Sequence, residues 1–132
     1  MSYSNPLPVS YNMGIHDFGA GGDALAIKPP LRLNRGRVED IHVAVTETFN
    51  QVTTPGFIRL GHASDADYYA ELNMGAAADT DAYNLRDAGV VTNKIDLIND
   101  PGPPTQIEVA FVAPTGGTPA GMGYVTIVLS WW

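Results

Sequence analysis

Apolar residues alternate with polar or small ones along most of the chain. Val9, Tyr11, Met13 and Ile15 alternate with Ser10, Asn12 and Gly14. Leu25 and Ile27 alternate with Ala24, Ala26 and Lys28, and Ile41, Val43 and Val45 with Asp40, His42, Ala44 and Thr46. Ile58 and Leu60 flank Arg59, and Ile95 and Leu97 alternate with Lys94 and Asp96. Ile107, Val109 and Phe111 alternate with Gln106, Glu108 and Ala110. Val125, Ile127, Leu129 and Trp131 alternate with Thr126, Val128 and Ser130. A period of two sends alternate side chains to opposite faces, so these runs predict seven strands, most with one dry and one wet face.

Turn-forming residues separate the runs. Pro29-Pro30, Asn34-Arg35-Gly36, Thr54-Pro55-Gly56, the stretch 99–104 and the stretch 114–119 all read as turns or loops. Many short strands with Gly/Pro turns predict an all-β chain, a jelly-roll-like β-sandwich. An immunoglobulin-like sandwich is the second choice, without its Cys…Trp…Cys signature.

One stretch argues for helix. Ser64 followed by Asp67 resembles a capping box, Tyr68 and Tyr69 stand three or four residues from Leu72, and Gly75 is a suitable stop. A short helix over 65–73 is therefore expected, with a second helical turn over 80–87, both within the long connection 64–89.

At 132 residues the chain fits one domain. Charged residues make up only 16%, while glycine (14) and proline (10) are abundant, as suits a turn-rich globular protein. The 14 acidic residues outnumber the 7 basic ones, giving a net charge of −7. Such a chain is a poor general binder of phosphate backbones, so nucleic acid is not an expected partner. No apolar run reaches the length that spans a bilayer, and residues 1–22 lack the pattern of a signal peptide, so no membrane is expected. The absence of cysteine excludes disulfides, thiolate metal sites and a cysteine nucleophile.

The charges are unevenly placed. Lys28, Arg32, Arg35 and Arg37 are four of the seven basic residues, whereas nine of the fourteen acids fall in 65–108. Residues 1–36, with four of the ten prolines, are read as an extended arm and loop segment, and 37–132 as the sandwich body. Lys28, Arg32, Arg35 and Arg37 are candidates for docking on an acidic neighbour, or for pairing within the chain. Deleting 1–22 is expected to leave such a body folded.

No catalytic constellation emerges. His16, His42 and His62 show no H-x-H or i, i+4 spacing, so no metal site is expected from them. The pairs Asp65/Asp67 and Asp79/Asp81 do not continue into a calcium loop and read as helix N-terminal acids. Gly19-Ala20-Gly21-Gly22 lacks the Lys-Ser/Thr ending of a phosphate loop and reads as a linker. No cofactor and no enzymatic activity are expected. Trp131 continues the inward face of the last strand, whereas Trp132 falls on the other face and is a candidate subunit contact. Tyr68 and Tyr69 read either as a sugar-stacking platform, with the loop 114–121, or as core.

Three runs carry a resemblance: GRVEDIHVAVTE over 36–47, GFIRLGHASDADYYAEL over 56–72, and QIEVAFVAPTGGTPAG over 106–121 followed by a final strand. Over about 36–132 this pattern of strands and connectors resembles the head decoration, or cement, proteins of tailed bacteriophages. The resemblance implies a virion structural protein that is made in the host cytoplasm and sits on the capsid exterior. It implies the major capsid protein as partner and a homo-oligomer, with a trimer favoured. It carries over no functional residue. A neck- or tail-associated virion protein and a carbohydrate-binding β-sandwich module are the alternatives.

Overall fold

The computed structural model describes residues 6–20, 24–50, 53–74, 82–85, 89–102, 104–116 and 120–132. They form two antiparallel sheets. Ten strands run in chain order: β1 (Leu7–Asp17), β2 (Ala24–Ile27), β3 (Arg35–Asn50), β4 (Phe57–His62), β5 (Asp65–Asn73), β6 (Ala82–Tyr83), β7 (Gly89–Val91), β8 (Ile95–Asp96), β9 (Ile107–Val112) and β10 (Ala120–Trp131). The first sheet has the order β1-β10-β3-β6, with β8 also on β3; the second has the order β2-β9-β4-β5-β7.

The pairing has the logic of one long hairpin rolled up. The first strand pairs with the last, β2 with β9, β3 with β8, and β4 with β5 at the centre. Rolling then brings β10 beside β3 and β9 beside β4. This is the jelly-roll β-sandwich that the alternation predicts. All seven predicted runs lie on strands of it, although Leu97 falls just beyond β8.

The core lies between the sheets. Ile41, Val43, Val125, Ile127 and Leu129 of the first sheet face Ile58, Leu60, Leu72, Ile107 and Val109 of the second, and all are buried. Trp131 is fully buried, and its indole N–H donates to the Tyr11 hydroxyl at 2.9 Å. The Tyr69 hydroxyl donates to Asp100 Oδ2, which also accepts the Asp96 backbone N–H. That carboxylate ties β5 to the turn after β8.

Several expectations are corrected. Residues 65–73 are strand β5, hydrogen-bonded to β4 and β7. Tyr69 and Ala70, neighbours that point to opposite faces of β5, are both buried, and such consecutive buried residues imitate a helical face. Ser64 caps nothing; its hydroxyl meets His62 Nδ1 at 3.0 Å in the Ala63–Ser64 turn. Asp65 and Asp67 are accordingly exposed strand residues and not helix N-terminal acids. Within 80–87, Ala82–Tyr83 pair with β3 as strand β6 and Leu85 alone of the described residues is helical, while 80, 81, 86 and 87 lie outside the described residues, as does Asp79.

Asn34-Arg35-Gly36 is not a free turn, because Arg35 and Gly36 open β3. Gly36 pairs with Trp131, and a Cβ on it would collide with the Ser130 carbonyl. The glycine serves close strand approach here. Of the stretch 1–36 expected to be an arm, residues 1–5 and 21–23 lie outside the described residues and the rest joins the sandwich: β1 pairs with β10 over almost its whole length, β2 pairs with β9, and Phe18 and Ile27 are core residues. An edge strand and a central one looked alike in the sequence, because prolines at 6 and 8 are tolerated at a sheet edge.

Candidate functional site: a basic and apolar end of the sandwich

One end of the sandwich gathers the residues singled out for partner binding. The connector 28–34 leaves β2, crosses from one sheet to the other and enters β3. Pro29-Pro30 stiffen it, and the Leu33 N–H donates to the Pro30 carbonyl at 3.0 Å. This closes a four-residue turn with Leu31 and Arg32 in the middle. Arg32 has φ +68°, and it is the one positive-φ residue other than glycine among the described residues. That is a type II turn with arginine where glycine is the usual choice, at a conformational cost of about 1–2 kcal/mol.

The turn presents Leu31 to solvent at 89% exposure, the most exposed of the large apolar side chains described. Three further exposed apolar residues share this end. Trp132 is 40% exposed, and its backbone N–H donates to the Arg35 carbonyl at 2.9 Å. Leu7 is exposed at the start of β1, opposite Trp131. Ile98 is exposed in the turn after β8, which is tied back to the connector by the Leu97 N–H donating to the Asn34 carbonyl.

The four basic candidates divide into two pairs. Arg37 forms a two-pronged ion pair with Glu39, at 2.9 and 3.3 Å. Burial pushes the Glu39 pKa up, but hydrogen bonds from Arg37 and Ser130, with the Arg37 charge, outweigh this and hold it below the ordinary value. Arg35 lies 3.8 Å from Asp96. The Asn99 side chain, then backbone N–H groups of Asn99 and Ile98 and the Arg35 charge, hold the Asp96 pKa low against a smaller desolvation effect. These two cations are thus largely neutralised within the chain. Lys28 and Arg32 have no ion pair among the described residues and flank Leu31 on the exposed connector. An apolar tip between two cations that have no ion pair among the described residues is chemically suited to an apolar pocket with an acidic rim.

Leu31 and Ile98 are exposed apolar residues of this end that the alternation does not single out. Leu31 had a signal: an apolar residue between Pro29-Pro30 and Arg32 belongs to no alternating run. Ile98 had none, because it follows the β8 alternation directly.

The other candidates are dispersed. His16 is buried on β1, His42 is half-buried on β3, and His62 ends β4. No group of three or more His, Asp or Glu side chains converges among the described residues. Tyr69 is fully buried, so it cannot offer a ring face to a sugar, while Tyr68 is half-buried with its ring edge-on to Tyr69. In the loop 114–121, residues 117–119 lie outside the described residues. Of the glycine run, Gly19 lies in a 3-10 turn (Phe18–Ala20) and its N–H meets Asp17 Oδ1, while Gly21 and Gly22 lie outside the described residues. No helix of the described residues is long and apolar enough to cross a membrane.

Comparison with known protein families, curated proteins and solved structures finds no match.

Proposed function

We propose that this chain is a structural protein of a tailed-phage virion that decorates the capsid, seating its Leu31 end on the major capsid protein. The observation that supports this reading is the rigid turn that holds Leu31 out between Lys28 and Arg32. An isolated leucine at this exposure gives up apolar burial unless a partner covers it. The double-proline brace and the strained Arg32 fix the tip in place beforehand, which lowers the entropy lost on docking. A jelly-roll sandwich, an architecture used by capsid and lectin domains, supplies the stiff body such a clamp needs. The resemblance over 36–132 points the same way. In this reading Trp132 lies at a contact between copies of the chain.

Quantitative mass spectrometry of virions purified from the source lysate tests the proposal. A copy number comparable to that of the major shell protein is expected. A few copies per particle would move the protein to the neck or tail, and absence from particles would overturn the virion reading.

A further inference from the structure

A second feature of the same end is a cleft of about 330 Å³, lined by His62, Ser64, Pro101, Pro104, Gln106 and Glu108 among others. We propose that this cleft binds the ammonium or guanidinium group of an organic cation, with the Glu108 carboxylate as its counter-ion. The inference stands on the cleft alone and is independent of the capsid reading.

The cleft is built from the sheet outward. Glu108 lies on β9, with Ala26 and Gly61 opposite it on the two neighbouring strands. Neither neighbour carries a polar side chain that pairs with it. Gly61 has no room for one, since a Cβ there would collide with the Asp65 carbonyl and with Ala66. The backbone of Asp65 and Ala66 lies over Gly61, and His62, Ala63 and Ser64 just before it make one wall. Pro101, Gly102, Pro104, Thr105 and Gln106 make the other; a Cβ on Gly102, whose φ is +71°, would lie 3.9 Å from Ser64 Oγ across the mouth. Pro101 and Pro104 stiffen this wall, so the cleft exists without a ligand.

Its chemistry is one-sided. The Gln106 side-chain amide donates to Glu108 Oε1 at 3.0 Å and leaves the other carboxylate oxygen for a ligand. Ser64 and Thr105 add hydroxyls, and no Lys or Arg lines the cleft among the described residues. His62, 4% exposed, lines it from behind: its Nδ1 meets Ser64 Oγ, its ring packs on Tyr68 at 4.7 Å, and its Nε2 has no hydrogen-bond partner among the described residues. Acceptors at the base, proline and alanine on the walls, and a net charge of −7 select a compact cation with an apolar stem. A single carboxylate is too few for a bare metal ion.

The test is an NMR titration of the full 15N-labelled chain with capped arginine, with agmatine, and with capped glutamine as the uncharged control. Saturable shifts confined to Ser64, Gly102, Thr105, Gln106 and Glu108 are expected for the cations only. Glu108→Gln should weaken binding about tenfold or more, the loss of one charge-assisted contact. If Glu108→Gln does not fold, raising the salt concentration on the native chain should weaken the binding comparably. Tighter binding of capped arginine supports a side chain of a partner protein as the natural source, and tighter binding of agmatine supports a free amine. Absence of saturable shifts, equal shifts with capped glutamine, or binding indifferent to both the variant and salt would overturn the proposal.

Discussion

His16 stacks on Phe111, with ring centroids 3.9 Å apart and planes 14° apart, because β1 slips by one residue at Met13. Asn12 pairs with Thr126 and Gly14 with Val125, so Met13 is extra. Gly14 takes φ +81°, its N–H bonds to Asn12 Oδ1, and His16 Nε2 hydrogen-bonds the Met13 carbonyl at 2.8 Å. A bulge of this kind reverses the inside and outside of everything beyond it. Val9 and Tyr11 pack on the core as the alternation predicts, but Ile15 is 58% exposed and His16 is buried.

We expect the two neighbours to respond oppositely to substitution. Ile15→Thr should change unfolding free energy by no more than about 0.5 kcal/mol, as at other exposed positions. His16→Ala should cost about 1–3 kcal/mol, by losing the ring stack and stranding a carbonyl. Urea denaturation of both variants measures this, and equal effects would contradict the bulge.

The bulge also shows where the sequence stops being informative. Strand runs bounded by prolines and glycines were legible, because alternation and turn chemistry are local. The phase of a strand after a bulge is not local, since it is set by the register against β10. Likewise the burial of Tyr69 on β5 depends on Asp100, 31 residues away, which accepts a hydrogen bond from its hydroxyl. At the candidate site, the clustering of Lys28, Arg32, Arg35 and Arg37 was legible. Which of them are paired was not, because Glu39 and Asp96 reach Arg37 and Arg35 through strand geometry.

Removing residues 1–22 should abolish folding, contrary to what an appended arm would allow. The truncation strips β1 from β10, exposing the β10 edge, and removes Phe18 from its contacts with Phe49 and Phe111. Loss of a full edge strand and a core aromatic exceeds the roughly 5–15 kcal/mol by which domains are stable. Circular dichroism and amide dispersion report the outcome, and a well-dispersed spectrum would restore the arm.

Tyr69 should make the protein sensitive to alkali. Burial foremost, then the hydrogen bond and charge of Asp100, push its pKa far above the ordinary tyrosine value. A group whose pKa is raised in the folded state contributes stability that is complete below the unfolded value and is lost as pH rises past it. Unfolding free energy should therefore fall from about pH 10 upward, the ordinary pKa of tyrosine. Tyr69→Phe should flatten that fall, at the cost of about 1.5–3 kcal/mol at neutral pH for leaving Asp100 short of a donor. Stability curves of both proteins between neutral and strongly alkaline pH check the slope.

Arg32 separates attachment from stability. Its left-handed backbone costs a residue with a Cβ roughly 1–2 kcal/mol, and glycine's extra freedom in the unfolded chain takes back about half of that. Arg32→Gly should accordingly stabilise the fold by about 0.5–1 kcal/mol while keeping the type II turn. The same change removes one of the two cations beside Leu31, so binding to shells should weaken, and more so at low salt, where the charge counts most. Leu31→Ser should leave stability unchanged, since the side chain is 89% exposed, and weaken binding in a salt-independent way. Thermal unfolding together with co-sedimentation on virions stripped of this protein reads both quantities. A more stable Arg32→Gly protein that binds like the native chain would leave the strain explained by nothing at the interface. A Leu31→Ser protein that still binds fully would remove the tip from the contact, because a residue this exposed has no other role that the variant could spare.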